Sequence, residues 1–199
     1  MDDIVKQAMA KWPNVPHCYG WLGLDARGHW RMRDERAQHL DLPGDKLAHE
    51  ALIGFINRNY LHDDEGRWYF QNGPQRVYVN LEATPFIART DPAHGFVLHT
   101  GALLDRINAV AMTEAGELIF QAGDTVAQLD DRDAAQVLAL LEKDGRPVPD
   151  EALLAWLEGG ADDAAPTLPV NGRLLTLART DRAGLADRFG FQRTPTMVA

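Results

Sequence analysis

Asp64-Glu-Gly-Arg-Trp-Tyr-Phe-Gln-Asn-Gly73 is echoed later in the chain by Glu114-Ala-Gly-Glu-Leu-Ile-Phe-Gln-Ala-Gly123. Both stretches place an acid two residues before a Gly, then two bulky residues, the pair Phe-Gln and a second Gly. A repeat of this kind defines the folding unit, because each copy must make the same local structure. Gly66 and Asn72-Gly73 can take positive φ at little cost, as tight turns demand. Between them Arg67-Trp-Tyr-Phe-Gln71 is rich in residues that favour a pleated, half-buried surface. After Pro74, Val77, Val79 and Leu81 alternate with Tyr78 and Asn80, the period of a strand. The repeated unit therefore reads as strand–turn–strand.

Working outward, residues 2–12 carry Ile4, Val5, Ala8, Met9 and Trp12 at helical spacing, and Pro13 stops the run. Residues 18–24 read as a strand, Asp25 to Gly28 as a turn and 29–33 as the strand leaving it. Asp45 reads as the N-cap of a helix over 46–59. Strands over 67–71, 77–81, 84–89 and 95–99 are expected to form an antiparallel meander packed on that helix. In the second half, 107–112 lead into the second copy, with Ala127 and Leu129 in the places of Val77 and Val79. Asp130 caps an expected helix over 131–142, Lys143-Asp-Gly145 ends it, and a short helix follows at 151–158. Residues 159–166 read as exposed, 173–177 as a last strand and 181–199 as a helical turn with a tail. The expected fold class is α+β: two small lobes, 1–103 and 104–199, each an antiparallel sheet with a covering helix, related by the internal repeat.

The 199 residues are 45% apolar, enough for a proper core. Twenty basic residues against twenty-nine acidic ones give a formal charge of −9, and only four of the basic ones are Lys. That balance argues against nucleic-acid binding, whose affinity comes largely from neutralising phosphates. Cys18 is the single cysteine, so no intrachain disulfide framework exists. The acidic start lacks a signal-peptide core, and no run approaches the roughly 20 apolar residues of a membrane helix. A cytoplasmic, bacterial-style protein with no nucleic-acid or membrane partner is expected.

Catalytic signatures are weak. The chain contains no serine, which removes serine hydrolases. His17 and Cys18 are adjacent rather than partnered across the fold. Asp45, His49 and Glu50, and likewise His94 and His99, lack metal-ligand spacing, so no metal is expected. Phosphate-cradling glycine motifs are absent and no cofactor is implied. The densest surface candidate is the aromatic and amide cluster Trp68, Tyr69, Gln71 and Asn72 with Arg67 and Arg76, from which Trp68, Gln71 and Arg76 stand out, with Gln121 as the counterpart of Gln71. These four are the candidate ligand-binding residues. For Gln71 and Gln121 the favoured alternative is a hydrogen bond to the adjoining turn, the commoner use of a polar residue there.

The segments Gly-Arg-Trp-Tyr-Phe-Gln-Asn-Gly-Pro-Gln-Arg-Val-Tyr-Val (66–79) and Leu-Glu-Ala-Thr-Pro-Phe (81–86) resemble those of a family of uncharacterised proteobacterial proteins of similar length. The resemblance runs from about Cys18 to Arg89. These segments also look like a related unknown-function family of two similar α+β lobes with a duplicated motif. That relative implies a signalling or ligand-sensing role, and it brings no catalytic residues. The expected function is thus a non-enzymatic ligand-binding or regulatory module, with an unknown small molecule or protein held in a cleft between lobes and a homodimer as an open option. The alternatives are a hydrolase using His and carboxylate groups of the first lobe, or an adaptor pairing through its sheet edges.

Overall fold

The computed structural model describes residues 1–159 and 164–197. The fold is α+β, with short helices and two sheets. The chain forms two compact units, residues 1–85 with 186–199 and residues 86–185. The border expected at 103/104 falls inside the second unit. Hydrogen bonding explains the difference: the strand at 86–91 pairs with the strand at 125–129 and so is part of the second sheet.

The first unit contains α1 (Asp3–Lys11), β1 (Cys18–Leu24), β2 (Trp30–Met32), α2 (Glu35–His39), β3 (Asp45–Lys46), α3 (Glu50–Arg58), β4 (Tyr60–His62), β5 (Trp68–Asn72) and β6 (Gln75–Leu81). The sheet order is β3-β2-β1-β6-β5-β4. Every neighbouring pair is antiparallel except β1 with β6, which is parallel. The expected all-antiparallel sheet is therefore mixed, as the long excursion between β1 and β6 permits. The helix expected from Asp45 starts later. Asp45 and Lys46 pair with Met32 and Arg31 as a strand, and His49 caps α3 by accepting the Leu52 amide on Nδ1 at 3.2 Å. On α1 only Val5 is buried, while Ile4 and Trp12 of its expected apolar face are exposed.

Strand alternation gives this sheet two different faces. One carries Leu22, Leu24, Trp30, Tyr60 and Phe70, buried with Ile56 of α3. Trp30 meets Tyr60 edge-on at 5.1 Å, and Phe70 meets Phe55 at 5.4 Å. The other carries Gly23, Arg31, Asn80, Tyr78, Tyr69 and Gln71. The C-terminal segment returns to this unit: Leu81 donates its amide to the Arg193 carbonyl at 2.7 Å, and Gln192 donates its own to Gly66 at 3.0 Å.

The second unit contains β7 (Phe86–Asp91), β8 (Gly95–Leu98), β9 (Ala109–Thr113), β10 (Leu118–Ala122), β11 (Thr125–Leu129), a 3-10 turn at Asp131–Asp133 leading into α4 (Ala134–Leu138), β12 (Glu142–Lys143), β13 (Arg146–Pro147), α5 (Asp150–Leu157), β14 (Thr167–Val170) and β15 (Arg173–Thr180). The last helix, α6, spans Leu185–Phe189. The sheet order is β13-β12-β14-β15-β9-β10-β11-β7-β8, parallel at β15/β9 and at β11/β7. The helix expected over 131–142 is shorter, ending at Leu138, and Glu142-Lys143 instead pair with β13 across a turn in which Asp144 and Gly145 take positive φ. Of the segment 159–166 expected to be exposed, 160–163 lie outside the described residues and Pro166 is buried. Phe96, Met112, Phe120, Trp156, Leu168 and Leu177 anchor the core.

Candidate functional site

Gly23 is the residue around which the candidate site forms. It stands in regular register on a central strand, opposite Asn80 of β6 on one side and Arg31 of β2 on the other. Glycine inside a strand weakens it and marks a bulge or a place where something approaches closely. The bulge in β1 lies between Cys18 and Leu22, where Gly20 takes φ +80°. It accounts for Gly20 and leaves Gly23 to be explained by room. A Cβ added at Gly23 would stand 3.5 Å from the Asn80 carbonyl oxygen, 3.7 Å from Arg31 Cβ and 3.9 Å from Arg33 Cδ, all ordinary contacts.

Above Gly23 opens a cleft of about 330 Å³. Arg31, Arg33 and Asp25 form one wall, Asn80 and Glu82 another, and Thr194 of the returning C-terminal segment completes the rim. Each arginine is anchored. Arg31 donates from Nε to Asp25 Oδ2 at 2.9 Å, with a second nitrogen at 2.8 Å. Arg33, 7% exposed, donates to the Leu42 carbonyl at 3.0 Å and to Asp41 Oδ1 at 2.8 Å. Burial pushes the Asp25 carboxyl upward, but bonds from the His29 amide, Arg31 and the Arg27 amide outweigh it and hold the group below its usual range.

Two groups in the cleft are less committed. Glu82 is exposed and accepts the Ala26 amide at 3.1 Å. Asn80 Oδ1 has no hydrogen-bond partner among the described residues. A buried amide oxygen left in this way costs about 1–3 kcal/mol, so it stands out against the satisfied polar groups around it. The opposite face carries a smaller, apolar hollow of about 230 Å³ against α3, walled by Trp21, Met32, Leu52 and Phe70.

The four residues expected to bind ligand do not converge. Trp68 lies on the apolar face, 8% exposed, its ring 4.8 Å from those of Tyr60 and His62. Gln71 and Arg76 face each other across β5 and β6. Gln71 Nε2 donates to the Gly73 carbonyl at 2.8 Å, and Gln121 Nε2 donates to the Gly123 carbonyl at 3.3 Å, so both serve their turns. The Arg76 guanidinium sits 4.6 Å from the Tyr69 ring. Gln121 is in the second unit.

A neighbouring cluster was invisible in the sequence. Asp63 Oδ2 accepts from Arg67 Nε at 2.8 Å and from the Tyr78 hydroxyl at 3.0 Å, and Tyr19 stacks on Tyr78 at 4.6 Å. Burial, then Arg76 and Arg67, lowers the pKa of His17 beside it. The carboxylate also accepts the Glu65 and Arg67 amides, which makes it the pin of the 63–67 turn. No group of three or more His, Cys, Asp or Glu residues is arranged to hold a metal among the described residues, and no described helix is long and apolar enough to cross a membrane.

The model of the DUF2944 family, described as a protein of unknown function (DUF2946), matches residues 1–196. The chain belongs to this family. No curated protein matches it. Among solved structures it is similar to the crystal structure of a DUF1285 family protein from Silicibacter pomeroyi DSS-3, at 15% identity and a TM-score of 0.49, over 83% of this chain and 84% of that one. Nothing is carried over from a likeness that slight. The site therefore rests on this chain's own residues. Gly23 was legible as a glycine in a strand, but its neighbours Arg31 and Arg33 come from a second segment and Asn80 and Glu82 from a third. Only the parallel pairing of β1 with β6 joins them.

Proposed function

We propose that this protein is a ligand-binding module of regulatory type, holding a small polar molecule in the cleft over Gly23. The observation that carries the reading is Gly23 itself: a glycine in regular strand register, free of the bulge and of positive φ, that lines the cleft and presents no side chain to it. Ligand sites combine a concave surface with a few placed polar groups, which here are Arg31, Arg33, Asn80 and Glu82.

The reading includes an internal duplication. Supporting it, the strand order β2-β1-β6-β5-β4 of the first sheet recurs as β8-β7-β11-β10-β9 in the second. Both contain one parallel contact at the same place, β1/β6 and β7/β11. Both quoted segments are hairpins, β5–β6 and β10–β11. Asp25 and Asp91 close equivalent turns by accepting backbone amides, and each is followed by a buried aromatic, Trp30 and Phe96.

Thermal denaturation against a panel of polar metabolites tests the binding reading. A ligand that binds only the folded protein stabilises it by mass action, about 2.7 kcal/mol at a hundred times Kd. The wild type should show a saturable rise in Tm with one chemical class. Gly23→Val, which places an isopropyl group in the cleft from an unstrained backbone position, should lose it. Equal responses in the two proteins would contradict the proposal.

A further inference from the structure

The second unit answers a question the cleft poses, namely which group belongs over Gly23. In the first unit Leu22 pairs with Val79, and the next pair is Gly23 with Asn80. In the second, Ala88 pairs with Leu129, and the next residues are Arg89 and Asp130. The hydrogen bond that follows in each ladder agrees: Asp130 donates its amide to the Ala88 carbonyl as Glu82 does to that of Leu24, two residues further along. Gly23 thus corresponds to Arg89, Asn80 to Asp130 and Glu82 to Arg132.

In the second unit these positions hold a closed ion cluster. Arg89 Nε lies 3.6 Å from Asp130 Oδ2, and Arg132 grips the same carboxylate through Nε at 2.9 Å and through a closer contact from its terminal nitrogen. Within the second unit, the chain's own guanidinium therefore occupies the position that corresponds to the one left open over Gly23. The first unit has neither cation there. Its two cleft arginines already face carboxylates of their own, Asp25 and Asp41, which leaves the Glu82 carboxylate as the negative charge without a side-chain cation among the described residues. The Asn80 carboxamide, whose oxygen makes no hydrogen bond, can turn that oxygen toward the cleft by a half-turn of its last torsion.

Resting on the cleft reading above, we infer that the ligand of the first unit presents a cationic, donor-bearing group, a guanidinium or ammonium, which lies over Gly23 between Asn80 and Glu82 in the place that Arg89 fills in the second unit. A planar guanidinium suits this position because it can donate to a carboxylate and an amide oxygen at once.

The test uses the whole protein and four probes in calorimetric and thermal-shift titrations: agmatine, cadaverine, citrate and a neutral polyol. Agmatine, or agmatine with cadaverine, should bind the wild type saturably. Binding should weaken at least about tenfold in Glu82→Gln, the loss expected for one charge-assisted hydrogen bond. It should vanish in the double variant Gly23→Arg with Asn80→Asp, which copies the second unit and supplies its own guanidinium. Glu82 is exposed, so its variant reports even if the double variant fails to fold. Saturable binding of citrate or the polyol, lost in Gly23→Val, would overturn the cationic class and leave the cleft standing. Agmatine binding unaffected by Glu82→Gln would also overturn it. No saturable binding by any probe would overturn the inference and the cleft reading together.

Discussion

Gln71 donates from Nε2 to the Gly73 carbonyl at 2.8 Å, and its side chain is almost wholly enclosed, the residue being 1% exposed. The equivalent bond from Gln121 to Gly123 is longer, 3.3 Å, and lies at the surface. Gln71→Ala should cost about 1–2 kcal/mol, because it removes a buried turn hydrogen bond. Gln121→Ala should stay within about 0.5 kcal/mol. Chemical denaturation of the two single variants measures both, and the order of the effects is the expected result.

Trp68 closes the apolar face of the first sheet against Tyr60 and His62. Trp68→Ala should destabilise that unit by about 3–5 kcal/mol, the range for large core truncations. The measurement is a denaturation curve followed by circular dichroism, where an unchanged midpoint would remove Trp68 from the core.

Gly66 and Gly116 each occupy a turn, with φ of +71° and +84°. A Cβ on Gly116 meets nothing within 4 Å, whereas one on Gly66 would lie 2.0 Å from the Gly190 carbonyl oxygen. Gly116→Ala should therefore cost only the left-handed backbone penalty, about 1–2 kcal/mol. Gly66→Ala should cost more, since it must also push the C-terminal segment off the turn. Faster amide exchange at Leu81 and Gln192, which bond to and from that segment, is the accompanying signature.

Asp130 is held down to a pKa of about 2. Burial alone would raise it, but the Arg132 side chain and amide, together with the Arg132 charge, outweigh burial. A carboxyl depressed on folding stabilises fully above its ordinary value of 3.8, and the contribution is lost as pH falls toward 2. Arg132→Ala should raise the Asp130 pKa and shift acid unfolding of the second unit to higher pH. Carboxyl NMR titration reads the first effect, and pH-dependent circular dichroism reads the second.

Much of the local structure was legible because local chemistry decides it. Gly66, Gly73, Gly116 and Gly123 all take positive φ in the turns where the repeat placed them. What escaped was non-local. Nothing in Cys18–Leu24 announces that it pairs in parallel with Gln75–Leu81, and the 84–89 strand looked continuous with the first meander until its pairing with β11 separated it. Asp45 has the chemistry of a cap but is drawn into a strand by Arg31 and Met32. The four candidate ligand residues do not come together for a related reason. Aromatic and amide density belongs to the hairpin of β5 and β6, whereas the cleft is lined by a glycine that presents no side chain.

The most direct test of the cleft is amide chemical-shift mapping by NMR, on isotope-labelled protein titrated with the compound that raises Tm in the metabolite panel. Saturable shifts should concentrate at residues 23–25, 31–33 and 80–82, with the side-chain amide of Asn80 among the largest. Shifts centred on the apolar hollow near Trp21 and Met32, on the hairpin at Trp68–Gln71, or in residues 86–185 would contradict the cleft reading.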